Sequence, residues 1–234
     1  MRFLMGCFCL LIASVLSADC RHLAPARGVP APAANEWSLA TLNVWRLRDD
    51  HKHSHLDDPI SSVLLRQRIR ALADFISGPL QAPHVLALQE VENRQLLNRL
   101  AAQLGRSGWR YRVVLKEGND PSGMDVGLLY REPVEVASVQ RLFTEQVFHG
   151  HALFSRPPLL VTLEKPESLR LVIVHQRSAR DLHKPQVYEK RQSQAALLAN
   201  WVNRQRGPLL VAGDFNSSWG AGRFSASYER FAKS

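Results

Sequence analysis

The sequence predicts an α/β sandwich, two packed β-sheets carrying helices on their outer faces. Three observations lead to it. Segments with apolar residues at helical spacing alternate with short apolar runs in the first and last thirds of the chain. Between them, five strand-like runs follow one another with no helix. Strict alternation would give a single doubly wound sheet, and five strands in succession do not. Four of the apolar runs also end on a polar side chain, which marks one edge of the sheets as special.

The elements follow in order. Trp37 to Val44 is an apolar run suited to a buried strand. Leu65, Ile69, Leu72 and Ile76 recur at helical spacing, so a helix is expected from Ile60 to Ser77, stopped by Gly78-Pro79. His84 to Leu88 is a short strand, and Leu96, Leu97, Leu100 and Leu104 mark a second helix that Gly105 ends. The five strands are Tyr111–Leu115, Asp125–Tyr130, Val134–Val139, Leu159–Leu163 and Leu169–Val174. Gln186 to Arg204 is the last helix and Leu209–Ala212 the last strand. No internal repeat is present.

The ends of the chain differ from this middle. Arg2, an apolar stretch from Phe3 to Leu16 and the small residues Ser17 and Ala18 have the order of a secretory signal peptide, expected over residues 1–18. The stretch is shorter than the roughly 20 apolar residues of a membrane span. Export to the periplasm or the extracellular space is therefore expected. Cys20 raises the option of a lipid anchor, which Asp19 fits poorly. Residues 19–35, rich in Ala and Pro, are expected to be a linker, residues 36–216 the domain and 217–234 a tail.

The chain of 234 residues is 45% hydrophobic and 22% charged, which excludes wholesale disorder, collagen and coiled coil. Its net charge is +9 with a sequence pI near 10.0. Arg2 is the one charged residue of the first 18, so the remainder keeps +8. Such an excess favours polyanionic partners. Of Cys7, Cys9 and Cys20, only the last outlives removal of a leader, which excludes an internal disulfide and a cysteine-based zinc site.

The polar groups closing the apolar runs are Asn43, Gln89-Glu90, His175 and Gly213-Asp214-Phe215-Asn216. Singly, each has an ordinary explanation as a turn former or a structural imidazole. Together they deliver amides, carboxylates and an imidazole to the C-terminal ends of buried strands, where ligand sites of open α/β sheets lie. Hard oxygen ligands suit Mg²⁺ or Mn²⁺, and the chemistry such a set supports is hydrolysis of a phosphate ester. No Gly-x-Ser-x-Gly elbow and no Walker loop is present, which disfavours covalent serine catalysis and nucleotide-triphosphate switching.

Leu88-Gln89-Glu90-Val91, Asp125-Val126-Gly127-Leu128-Leu129-Tyr130 and Gly213-Asp214-Phe215-Asn216, in that order, resemble the endonuclease/exonuclease/phosphatase superfamily over about residues 37 to 217. Gln89 to Asn93 with Gly118-Asn119-Asp120-Pro121 is most similar to its secreted bacterial nuclease-like members. The resemblance implies a four-layer sandwich of two mixed sheets flanked by helices and a single-step, metal-assisted hydrolysis. It implies Glu90 as the main metal ligand assisted by Asn43, His175 as the catalytic imidazole, and Asp214 and Asn216 positioning water and phosphate. Arg156 and Arg177 are candidates for phosphate contact, and Glu117 is a candidate for orienting His175. The implied cofactor is Mg²⁺ or Mn²⁺, and the implied partner is nucleic acid or another phosphodiester, acted on by a monomer with no obligate protein partner.

Two departures qualify the resemblance. Val174-His175-Gln176-Arg177-Ser178 stands where many members carry Asn-His-Leu-Lys-Ser. The family closes on a Ser-Asp-His motif, whereas the 18 residues after Asn216 hold neither His nor Asp. The expectation is a domain incomplete at its C-terminal side, so the candidate functions are an active metal-dependent phosphodiesterase, most simply an endonuclease, a lipid phosphodiesterase or phosphatase, or a member without full catalytic activity. His51, His53 and His55 among Asp49, Asp50, Asp57 and Asp58 suit either a metal such as zinc or a solvated loop. Arg66, Arg68 and Arg70 are expected to face solvent, and Lys184, Lys190, Arg191 and Arg204 could add to a phosphate-tracking surface.

Overall fold

Successive residues along a strand point to opposite faces, and in the strand Val85–Val91 both faces are buried. The computed structural model describes residue 29, residues 32–53 and residues 55–217. The expected leader, most of the Ala/Pro-rich stretch and the tail beyond residue 217 lie outside the described residues.

Strands β1 (Leu39–Leu47), β2 (Val85–Val91), β3 (Arg112–Leu115) and β4 (Asp125–Tyr130) form one 4-stranded sheet in the order β1-β2-β4-β3. Strands β5 (Glu135–Arg141), β8 (Leu159–Lys165), β9 (Leu169–His175) and β10 (Leu209–Asp214) form the second, in the order β10-β9-β8-β5. Each sheet is mixed: β1 runs parallel to β2 and β10 parallel to β9, and the other pairings are antiparallel. A small hairpin, β6 (Val147–Phe148) with β7 (His151–Ala152), completes the strands. It escapes sequence reading because two-residue strands carry no periodicity.

Helices α1 (Ser62–Ser77) and α2 (Arg94–Arg106) cover the first sheet and α3 (Pro185–Val202) the second. Helix α1 starts at Ser62 rather than Ile60 because the Ser61 hydroxyl accepts the Leu64 N–H at 3.2 Å as a cap. Asn93 caps α2 in the same way through the Leu96 N–H at 3.0 Å. Pro185 opens α3, where its missing N–H costs nothing.

Three apolar layers result. Leu86 and Leu88 of β2 pack with Leu65, Ile69, Leu97 and Leu100 of the helices. Val85 and Ala87, the alternate residues, meet Val161, Leu171 and Ile173 of the other sheet. Val172 and Val174 of β9 turn outward onto Leu198 of α3. The order helix, sheet, sheet, helix is the predicted four-layer sandwich.

Candidate functional site

The face between the sheets carries the site. Leu39 of β1, Leu171 and Ile173 of β9, and Ala212 of β10 lie in the inter-sheet layer. Two-residue periodicity therefore carries Asn43, His175 and Asp214 to the same face, one step beyond the apolar layer. Thr41 and Gln89, just below, exchange side-chain hydrogen bonds of 3.3 and 3.1 Å. Strands β9 and β10 pair through the site residues themselves, with His175 opposite Asp214. Both strands thus run further than the expected ends at Val174 and Ala212.

Glu90 has the wrong parity. Leu86 and Leu88 face the helices, so an unbroken strand would send Glu90 there too. Instead the pairing of β2 with β4 shifts between Gln89 and Val91, and Glu90 has φ 63°. This bulge turns the carboxylate to the site, and a left-handed φ at a non-glycine residue is a local cost accepted there. Asn216 has φ 51° at the end of β10.

The side chains converge. Asn43 Nδ2 donates to Glu90 Oε1 and to Asp214 Oδ2, each at 3.0 Å. His175 Nε2 lies 3.8 Å from Glu90 Oε1 and 3.8 Å from Asp214 Oδ2. His175 is buried, and its Nδ1 has no hydrogen-bond partner among the described residues. Burial, and then the Arg156 guanidinium, push its pKa down to about 4 against the pull of Asp214 and Glu90. Two carboxylates thus face one amide and a neutral imidazole, and no Lys or Arg pairs with either carboxylate among the described residues. Such a set of hard oxygens fits a divalent cation.

The other expected residues are placed as follows. Arg156 is bonded to Asp120 at 2.6 Å, with both side chains nearly buried. Asn216 donates its side-chain amide to the Gln176 carbonyl at 3.0 Å and its backbone N–H to Asp214 Oδ1 at 2.7 Å. It therefore fixes the Asp214 carboxylate. Arg177 lies to one side, lining a cavity of about 340 Å³ with His149, His151 and Lys190. Glu117 does not orient His175. It lies against Asp125, whose carboxyl is pushed up to about 8 first by burial and then by Glu117.

Sequence reading missed three contributors. Asp120 sits in a turn whose polar residues gave no periodic signal, yet it holds Arg156 beside His175. Trp45 and Arg46 adopt φ 54° and 58° just past Asn43, and the Trp45 N–H donates to Asn43 Oδ1 at 2.8 Å. Arg68, expected in solvent, clamps that bend by donating to the carbonyls of Val44, Trp45 and Arg46 at 2.7 to 2.9 Å. Arg66 and Arg70 are exposed as expected, and with Arg99 and Arg106 they line one groove between α1 and α2.

A fold of two mixed sheets between helices, with carboxylates, an amide and an imidazole at the strand ends, defines a class of phosphoester hydrolases. A model of the Endonuclease/Exonuclease/phosphatase family matches residues 40–232, and the chain belongs to that family. No curated protein sequence matches the chain. Among solved structures, the beta-hairpin deletion mutant of beta toxin from Staphylococcus aureus has a TM-score of 0.57 at 14% identity, over 84% of this chain and 72% of that one. D. rerio TDP2 complexed with single strand DNA product has a TM-score of 0.55 at 18% identity, over 83% and 64%. ANGEL2, a 2',3'-cyclic phosphatase in complex with adenosine-2',3'-vanadate, has 0.52 at 18%, over 81% and 56%. These likenesses concern the fold, and the chain spans less than two thirds of the length of the TDP2 and ANGEL2 chains it matches.

Proposed function

We propose that the chain is a metal-dependent phosphodiesterase that acts on nucleic acid as an endonuclease, exported and working as a monomer. One observation carries this reading: Glu90 and Asp214, from different sheets, meet on the same Asn43 amide with His175 beside both. Glu90 and Asn43 would hold the cation, Mg²⁺ or Mn²⁺, with Asp214 next to it. When bound, the ion neutralises charge developing on the phosphoryl oxygens.

The chain's own groups do the rest. Asp214, fixed through Oδ1 by the Asn216 N–H, presents a carboxylate that can orient a water for attack and accept its proton. His175, neutral above about pH 4, has one ring N–H to offer a phosphoryl oxygen. Arg156, held by Asp120, places a positive guanidinium next to that imidazole. The hydrolysis proceeds in one step with no covalent intermediate on the chain.

A polyanionic substrate is supported by the cavity of His149, His151, Arg177 and Lys190 beside the site, by the four-arginine groove, and by the +8 charge that remains without residues 1–18. No carboxylate lines either depression. Export is supported by the composition of residues 1–18, and sequencing the N-terminus of secreted protein tests it.

The deciding assay compares plasmid DNA, sphingomyelin and a phosphomonoester, each with Mg²⁺, with Mn²⁺ and with chelator. Nicking of plasmid that chelator abolishes, and that Glu90→Gln lowers by about 10³-fold or more with an unchanged circular dichroism spectrum, is the expected result. Preference for sphingomyelin would reassign the chain to the lipid phosphodiesterases, and inactivity on all three would make it a member without catalytic power. Full activity in Glu90→Gln would remove the site assignment.

A further inference from the structure

The loop between β1 and α1 gathers a second set of ligand-bearing groups. Asp49 Oδ2 and His53 Nε2 stand 3.2 Å apart. With Glu92 they offer three ligand atoms that all lie within 4.8 Å of one another. Two donors each about 2.1 Å from one ion at a tetrahedral angle stand about 3.4 Å apart, so the Asp49–His53 spacing suits a single small cation.

Asp57, outside that trio, supplies an independent sign. It is only 2% exposed. Its Oδ2 accepts the His53 N–H at 3.0 Å, but its Oδ1 has no hydrogen-bond partner among the described residues. The side chain lines the same cavity of about 300 Å³ as His53 and Glu92. A buried carboxylate oxygen without a donor loses its water without replacement, and the loss is greater when the group is charged. No Lys or Arg side chain relieves it: among the described residues none pairs with Asp49, Asp57 or Glu92, and neighbouring Arg48 is bonded to Asp58 instead.

We propose that Asp49, His53, Asp57 and Glu92 form a second divalent-cation site, separate from the centre at Glu90. The imidazole among carboxylates favours a borderline ion such as Zn²⁺ over Ca²⁺, with the harder Mn²⁺ between them. Asn93 orders the set by donating to Asp49 Oδ2 at 2.8 Å, and the Asp49 N–H donates to a Glu92 carboxylate oxygen at 2.6 Å. A cation there ties the β1–α1 loop to the end of β2 and so braces the segment that follows Asn43. None of the four residues belongs to the catalytic set, so the site does not depend on the proposed reaction.

The test uses the full chain, stripped with chelator and titrated calorimetrically with ZnCl₂ alone or MnCl₂ alone. Glu90→Gln, which disables the central position, should still take up one ion and melt at a higher temperature with it. In that background His53→Ala and Asp57→Asn should each weaken the uptake at least tenfold and abolish the thermal shift. The His53 side chain is 59% exposed, so its variant tests binding without threatening the fold. No uptake by Glu90→Gln, or uptake unchanged by both further substitutions, would overturn the site. Failure of the central assignment shows differently, as a Glu90→Gln chain that titrates like the wild type.

Discussion

At His175 the surroundings set both charge and stability. The folded chain holds the imidazole near pKa 4, whereas an unfolded histidine titrates near 6.5, so between these values the unfolded state binds more protons. The stability that His175 contributes is therefore complete above about pH 6.5 and is lost as pH falls toward 4. In the metal-free protein, urea unfolding should show the wild type losing stability relative to His175→Gln as pH falls from 7 to 5, a difference that isolates the imidazole from Asp125, whose raised pKa acts in the opposite sense. The same depression keeps the acidic limb that His175 imposes on the rate well below pH 6.5, which a pH profile of plasmid nicking reads directly. Asn43, His175 and Asp214 were legible as site candidates because each closes an apolar run. Asp120 was not, because a carboxylate in a turn is the commonest of sights and only its bond to Arg156 sets it apart.

Elements hold these residues through backbone geometry. Gly213 has φ 138°, and a Cβ there would come within 2.0 Å of the Val174 carbonyl oxygen on the neighbouring strand. Gly213→Ala should therefore pull β10 from β9 where His175 faces Asp214. A loss of about 3 kcal/mol or more is expected from thermal unfolding, with activity falling further than stability alone explains. Arg68 acts from α1 on β1: one guanidinium satisfies three carbonyls of the left-handed bend after Asn43. Arg68→Lys keeps the charge but not the fork. It should cost about 1–2 kcal/mol in denaturant unfolding and lower kcat at least several-fold, although Arg68 is not in the catalytic set. The helices were legible from their spacing and their stops. The bend at Trp45–Arg46 and the bulge at Glu90 were not, since nothing in either residue type announces a positive φ.

Over the whole molecule the charge of +9 is organised, with Arg177 and Lys190 beside the site and four arginines between α1 and α2. If the substrate is nucleic acid, its binding should weaken steeply between 50 and 200 mM salt while hydrolysis of a small neutral-tailed phosphodiester barely changes. Arg177→Ala and Lys190→Ala should each reduce the salt slope by about 1.

By itself the sequence determined the longer strand and helix segments, the face of each strand that is apolar, and hence the edge on which Asn43, His175 and Asp214 would stand. These follow from local periodicity, which needs no partner to be read. Only the tertiary structure decided that the Asn43 amide would reach Asp214, 171 positions away, at 3.0 Å, that Glu90 would turn against its parity to join them, and that Arg68 would face β1 instead of water. The reason is physical. Periodicity fixes the direction of a side chain relative to its own strand, whereas register between sheets, bulges and long-range clamps are set by the packing of one element on another.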